Sequence, residues 1–463
     1  MHGIDWVILI AALSFIVVYG SLKTKGSKNV KDYILGNNET PWYMVGISVM
    51  ATQASAITFL STPGQAYHDG MGFVQFYFGL PLAMVIICIT FIPIYHKLKV
   101  YTAYEYLEQR FDLKTRSFTA ILFLVQRGLS TGITIYAPSI ILSTILGWNL
   151  TLLNIIIGIL VIIYTVSGGT KAVNVTQKQQ MFIIMGGMFV AFFLILNHLP
   201  EEVTFSNALK VAGINNKMEI VDFSFNLESR YTFWSGITGG FFLALSYFGT
   251  DQSQVGRYLS GKNIRESQLG LIFNGLLKVP MQFFILLVGV MVFVFFQFNT
   301  APIHFNPNGK KAVEKSEYAS EYTFLEKQLE DIAQDKQDFT LEYAKQLNKD
   351  FENKALQEKI TALGLKEKDL REQARELIKK ADSKIETNDK DYVFIHFILN
   401  YLPMGFVGLL LAVIFSAAMS STASSLNALA STTTIDIYKR NLRKEKSDMH
   451  FVKSTRWFTV FWG

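Results

Sequence analysis

Apolar residues run along this chain in long unbroken blocks, not at alternating or heptad positions. A helix needs about 20 apolar residues to cross roughly 30 Å of hydrocarbon. Stretches of that kind fall at 4–22, 42–64, 72–95, 118–143, 150–169, 179–197, 232–252, 268–298 and 394–430, with a tenth starting near Trp457. The pattern predicts an all-α polytopic membrane protein. Continuous runs are the wrong signature for a transmembrane β-barrel. The first run has no basic segment before it and no small-residue cleavage site after it, so it reads as a span and not as a signal peptide.

The polar positions between the blocks orient them. Lys23, Lys25, Lys28 and Lys31 follow the first span, and Lys97, Lys99, Arg110, Lys114 and Arg116 follow the third. Lys171 and Lys178 follow the fifth, Arg257, Lys262 and Arg265 the seventh, and the basic stretch 439–456 the ninth. The alternate loops 1–5, 67–72 and 147–151 have no Lys or Arg, and 198–231 has three. Positive loops stay inside. The expectation is a multi-pass protein of the cell (inner) membrane with its amino terminus external.

The pattern changes at 300–392, where apolar residues recur every three to four positions among acids and bases, as in Leu325, Leu329 and Ile332. Such spacing predicts amphipathic helices. This segment reads as a charged helical insert on the external face, between spans 1–8 in 1–299 and the remaining spans in 393–463. A solvated bundle is one reading of it and a partner-binding module the other.

Composition agrees. Of 463 residues 50% are hydrophobic and only 17% charged, against about 25% charged in an average soluble domain. Seventeen of the 43 basic and 20 of the 37 acidic residues lie in 300–392, so the rest is more apolar still. The net charge of +6 is scattered over short loops, which argues against a nucleic-acid partner. The single Cys88 excludes a disulfide framework and a thiolate metal site. None of the seven histidines is spaced as a helical metal pair, and no P-loop, Gly-x-Ser-x-Gly or HExxH motif occurs. No enzyme and no ATP-driven pump is expected. What remains is a solute pathway powered by an ion, with a small molecule and the lipid bilayer as partners.

Polar residues inside the spans mark that pathway. Span two carries Thr52, Gln53, Ser55 and Thr58, and Pro63-Gly64 is expected to interrupt it. Span nine holds the hydroxyl-rich run Ser416, Ser420, Ser421, Thr422, Ser424 and Ser425. For either segment alone, helix packing explains the small residues as well as a ligand site does; two in one chain favour a site. Intramembrane cations usually face a cavity or a partner. Arg127 lies nine residues into its span, too deep to snorkel, whereas Lys278 is placed where it could. Asp251 closes the seventh span, where pairing with a nearby arginine such as Arg257 is the structural expectation.

At these segments the chain resembles the sodium:solute symporter family, which includes sodium-driven glucose, iodide, vitamin, proline and sialic acid carriers. The likeness rests on Pro63-Gly64-Gln65-Ala66-Tyr67, on Tyr164 to Gly169 with Val175-Thr176-Gln177, on Ser246 to Gln252 with Gln254 to Ser260, and on Ser420 to Asn427 with Ile435-Asp436-Ile437-Tyr438. The resemblance implies a LeuT-type core of two inverted five-helix repeats behind an extra amino-terminal helix, with substrate and ion held between broken helices. Because the sequence stops in span ten, the second repeat is expected to be truncated and the chain to lack full transport competence by itself.

The resemblance also implies residues. A sodium ion, the coupling ion and sole metal expected, would be held by the carbonyls of Ala51, Ala54 and Ala417 and the hydroxyls of Ser420 and Ser421. Members with a second sodium carry an aspartate at Gln177 and hydroxyls at Ala423 and Ser424. Only Ser424 matches and Lys178 adjoins Gln177, so one-to-one coupling is expected. The solute would meet Gln53, Ser55, Thr58, Tyr77, Arg127, Ser130, Tyr247 and Lys278. Glucose-type members have a glutamate at Tyr77, which argues against a plain hexose. The sialic acid carrier has its carboxylate-binding arginine at Ser130, and Arg127 lies nearly one turn away on the same helix. An arginine fork suits a carboxylate, so a small organic anion or acidic sugar is expected. The alternatives are a neutral-sugar symporter, the transporter-like membrane domain of a sensor, a passive sodium channel, or a carrier scaffold displaying an external binding module. Tyr247 matches an aromatic gate over the solute; ordinary aromatic packing is its other reading.

Overall fold

The computed structural model describes residues 1–463 apart from 25, 28, 227, 443 and 444. Lys25 and Lys28 of the first basic loop and Arg443 and Lys444 of the last therefore lie outside the described residues. Among those described, the chain is helical, and its sole extended pairing is an isolated bridge between Thr40 and Gly261.

Helix α1 (Gly3–Lys23) leads to a short α2 (Val30–Leu35). The expected second span is two helices, α3 (Trp42–Gln53) and α4 (Ala56–Asp69), and a 3-10 stretch Gly70–Tyr77 then feeds α5 (Leu80–Ile89) and α6 (Phe91–Leu98). Next come α7 (Glu105–Arg110), α8 (Leu113–Leu146), α9 (Leu150–Asn197) and α10 (Phe205–Ile214). The expected seventh span is assembled from α11 (Phe233–Ser235), a π turn Gly236–Gly240 and α12 (Phe241–Thr250), followed by α13 (Gln252–Leu259). Helix α14 (Ile264–Phe295) precedes the insert, which contains α15 (Pro307–Val313), α16 (Ala319–Leu347) and α17 (Lys354–Ala381). Then follow α18 (Lys390–Tyr401), α19 (Phe406–Thr432), a π stretch Thr433–Leu442 and α20 (Asp448–Trp462). Among the described residues six helical runs are long and apolar enough to cross a membrane, one of them the broken run Ala56–Leu98 made of α4, the 3-10 stretch, α5 and α6. Side chains such as Ile89, Leu129 and Phe182 stand exposed on the outer surface, as lipid-facing residues do.

Four expectations about the elements need correction. The break in span two is not at Pro63-Gly64. Ala54 and Ser55 leave the helix instead (φ −81, ψ 82 and φ −80, ψ 171), and Pro63 sits inside α4. Pro63-Gly64 is a packing point: a Cβ on Gly64 would lie 1.7 Å from the Lys390 carbonyl oxygen, and one on Gly289 of α14 would lie 2.1 Å from that of Pro63. Spans five and six have no loop between them: they are two helices within α9 that meet directly at Gly169 (φ 55, ψ −134). Lys171, two residues on, pairs with Asp32 at 2.7 Å and Glu39 at 3.3 Å. The 394–430 block is two helices, α18 and α19, because Gly405 turns the chain at φ 89 and Asp5 Oδ1 accepts the Gly405 and Gly408 N–H groups at 2.7 and 3.2 Å. That carboxylate caps the free donors at the start of α19. Finally, the last helix starts at Asp448, capped by Ser447, well before Trp457.

Helix α19 is the centre of the molecule. Nearly every residue from Val407 to Thr432 is buried, so its hydroxyls lie in the protein interior. The insert keeps a small apolar core of its own, in which Tyr322, Leu325 and Leu329 of α16 meet Leu370, Ala374 and Leu377 of α17. Burial works against the Glu367 carboxylate there, but Lys336 and Arg371 outweigh it and hold its pKa at about 2 against an ordinary 4.5. His68 to Asp389 (3.4 Å) and Lys390 to Asp69 (2.5 Å) tie the insert's end to α4.

The packing point can be tested. Gly64→Ala should lower the thermal stability of the purified protein by about 1–3 kcal/mol, the range for overpacking. Gly132→Ala on α8, where an added methyl would meet nothing within 4 Å, should raise it slightly, since Ala is the better helix former. Melting curves of the two variants should therefore move in opposite directions.

Candidate functional site

The chain breaks twice near one level of the core. At Ala54–Ser55 the carbonyls of the last turn of α3 lose their helical partners, and at Asp251 (φ −76, ψ 119) the backbone is extended between α12 and α13. Freed carbonyls must be satisfied from elsewhere inside a membrane protein. At the first break part of that role falls to α19, where Ser420 Oγ donates to the Ala51 carbonyl at 3.0 Å; Ser421 Oγ instead bonds back within α19, donating to the carbonyls of Ala417 at 3.1 Å and Ala418 at 3.3 Å. Ala51, Ala54, Ala417 and Ser420 are fully buried and Ser421 is 6% exposed. Of the five expected sodium ligands, the structure joins Ala51 to Ser420 and Ala417 to Ser421. Among the described residues no three His, Cys, Asp or Glu side chains gather as a metal site.

Beside these oxygens stands Gln177 of α9, the position at which the family resemblance implies a carboxylate in a chain binding a second sodium. Its Nε2 donates to Thr52 Oγ1 (3.1 Å), Ser424 Oγ (2.7 Å) and the Ser420 carbonyl (3.3 Å), while Ser48 Oγ donates to its Oε1. Thr52 and Ser424 also bond each other at 2.7 Å. The amide thus puts donors where a cation would need acceptors. Lys178 does not bear on this cluster: its side chain is exposed while Gln177 is buried, because neighbours in a helix point about 100° apart.

A cavity of about 380 Å³ lies between the breaks, and Gln53, Tyr77, Arg127 and Tyr247 of the expected solute set line it. Leu122, Phe123, Leu243 and Phe248 supply apolar wall, and Gln126, Ser246, Tyr104 and Asp251 further polar groups. Ser55, Thr58 and Ser130 are half-buried and outside its lining; Ser130, on α8 like Arg127, has its carbonyl taken by Thr134 Oγ1 at 2.8 Å. Lys278 is also outside the lining. It is fully buried and not snorkelling, its Nζ lies 5.7 Å from the Tyr77 ring centroid, and that ammonium has no hydrogen-bond partner among the described residues.

The pairing of Asp251 corrects an expectation and supplies a residue that sequence reasoning placed only structurally. Asp251 bonds Arg127, not Arg257. Asp251 precedes α13 and Arg257 lies in its last turn, about 9 Å apart along the axis, and Arg257 is fully buried, donating to Asn174 Oδ1 at 3.4 Å. The Arg127 guanidinium carbon also lies 5.6 Å from the Tyr247 ring centroid, a cation–π contact. The signal for Asp251 was the cost of leaving Arg127 unpaired in the bilayer; a separation of 124 residues hid the partner.

Broken helices with buried backbone oxygens and a cavity beside them are the build of a secondary carrier with the LeuT-type fold. The comparisons agree. A sequence model of the sodium:solute symporter family matches residues 33–327 and 379–462, leaving out much of the insert. The chain belongs to the sodium:solute symporter family. It is similar to the human sodium/iodide cotransporter (31% identical over 58% of this chain and 42% of that protein) and to human sodium-coupled monocarboxylate transporter 1 (34% over 56% and 42%). The matched stretch is thus less than half the length of either relative. A sodium/sialic acid symporter of Proteus mirabilis is 26% identical over 99% of this chain and 76% of its own. The solved structure of a substrate-bound, outward-open sodium-coupled sialic acid symporter superimposes with a TM-score of 0.75 at 24% identity, over 100% of this chain and 80% of that one, and so shares the fold.

Proposed function

We propose that this chain is the membrane part of a sodium-coupled symporter that imports a small organic anion by alternating access. The observation that carries the reading is Arg127 in the wall of a cavity next to the break that exposes the Ala51 and Ala54 carbonyls. Sodium would replace the proton of Ser420 as the link between α19 and α3, drawing on the oxygens of Ala51, Ala54, Ala417, Ser420 and Ser421. Five neutral oxygens can substitute for a hydration shell and still release the ion. Tying α19 to the break in this way would favour one conformation and raise solute affinity, a reciprocal coupling. The solute would rest among Gln53, Tyr77, Arg127 and Tyr247, with its anionic group toward Arg127. Iodide, monocarboxylates and sialic acid, which the relatives' names give as their solutes, are all anions at neutral pH. The amino terminus and the insert would face outward, with the basic loops in the cytoplasm.

A neutral sugar is the second reading, and one observation favours it: Asp251 already neutralises the charge of Arg127.

Uptake by the full-length protein in proteoliposomes under an inward sodium gradient tests the proposal. Butyrate, the probe anion, should accumulate only with sodium, butyramide should not, and the sodium dependence should have a Hill coefficient of about 1. Gln177→Asp should raise that coefficient toward about 2, because a carboxylate beside Thr52 and Ser424 supplies the missing acceptors. Uptake indifferent to sodium would overturn the reading.

A further inference from the structure

The Arg127 guanidinium is only half used. One Nη2 hydrogen goes to Asp251 Oδ2, while its Nε is buried and has no partner among the described residues. Asp251 is bound on its other side. Its Oδ1 accepts the Ser253 N–H at 2.8 Å and the Ser253 hydroxyl at 2.6 Å, capping α13. One carboxylate thus joins α8 to the junction of α12 and α13, and both charged side chains are largely buried, at 14% and 13% exposure, in the wall of the cavity.

We propose that Asp251 is the internal competitor of the solute: the solute's carboxylate takes the Arg127 guanidinium, Asp251 lets go, and α8 is untied from the α12–α13 junction. The proposal rests on the organic-anion reading above. Its chemistry is an exchange of one carboxylate for another. A planar guanidinium offers a carboxylate two parallel N–H groups, and Asp251, held by its capping bonds, takes one. A free solute carboxylate has no such tether and can take both Nε and Nη2. Asp251 would then fall back on Ser253 alone, and its charge would be released to the cavity mouth. The competitor makes the site selective in two ways. A neutral solute has nothing to offer Arg127 that Asp251 does not already give, so it leaves the pair closed. An inorganic anion held by charge alone gains less than one with carboxylate geometry.

Asp251→Asn tests this, because asparagine keeps the capping oxygen and removes the competing charge. Butyrate affinity of the purified protein in sodium should rise at least about tenfold, given the coupling seen between close charge pairs. Butyramide affinity should not move. The ligand-free variant should melt lower than wild type, and butyrate should stabilise it more than it stabilises wild type. Unchanged or weakened butyrate binding in that variant would overturn the exchange and leave Asp251 a structural cap. The double variant Arg127→Gln with Asp251→Asn, which leaves no buried charge unpaired, serves if the single one does not fold. It should bind butyrate no better than butyramide, and a preference for butyrate in it would equally overturn the proposal. If wild type itself binds no butyrate with sodium, the organic-anion reading fails first, and the two failures are told apart.

Discussion

Ser420→Ala should leave the protein folded and inserted but without sodium-dependent uptake. The hydroxyl is fully buried, and it donates to the Ala51 carbonyl at 3.0 Å. Removing the donor leaves the buried Ala51 carbonyl without it at a cost of about 1–3 kcal/mol, still below total stability. An oxygen facing a cation is worth more. On the scale of bonds to charged groups, about 1.5–3 kcal/mol, apparent sodium affinity should fall roughly 10- to 100-fold. With weak sodium binding to begin with, that removes the coupling at ordinary sodium concentrations. The check is uptake measured across a sodium titration, alongside a melting curve. Wild-type sodium dependence in this variant would sink the assignment of the ion to this site.

Lys278→Met should act in opposite directions on stability and transport. The ammonium is fully buried on α14 with no hydrogen-bond partner among the described residues, and the centroid of the Tyr77 ring is 5.7 Å away. A buried donor left unsatisfied costs about 1–3 kcal/mol, more when it is charged, and an apolar chain of similar length does not carry that cost. Methionine fits the same space without strain. The melting temperature should therefore rise while solute uptake falls at least about tenfold, because Lys278, though outside the cavity, stands against the Tyr77 ring that lines it. Loss of stability with uptake intact would make Lys278 an ordinary structural residue whose partner lies in a different conformation.

The membrane class and the family were legible because both depend on short-range pattern. Apolar blocks set the spans, and motifs such as Ser420-Ser421 or Tyr164 to Gly169 carry the likeness within a few residues. The position of the breaks was less legible. A proline marks a weak point in any helix, so Pro63 drew the break to itself. Yet Ala54 and Ser55, with no helix-breaking side chain, hold the actual one, which the Ser420 hydroxyl across on α19 helps satisfy. Gly405 and Asp5 likewise end an apolar block that reads as continuous, through a contact spanning 400 residues. Within the solute set, Gln53, Tyr77, Arg127 and Tyr247 come together at one cavity. Ser55, Thr58, Ser130 and Lys278 do not line it, because helical phase at a break or a kink cannot be counted across from sequence.

The most direct test of sodium-coupled anion symport is thermal-shift or tryptophan fluorescence of the purified protein, screened with and without sodium against carboxylates, acidic sugars, neutral sugars, amino acids and inorganic anions. Stabilisation by a small carboxylate or acidic sugar that appears only with sodium is the predicted result. Stabilisation by neutral sugars, or by any solute equally well without sodium, would contradict it.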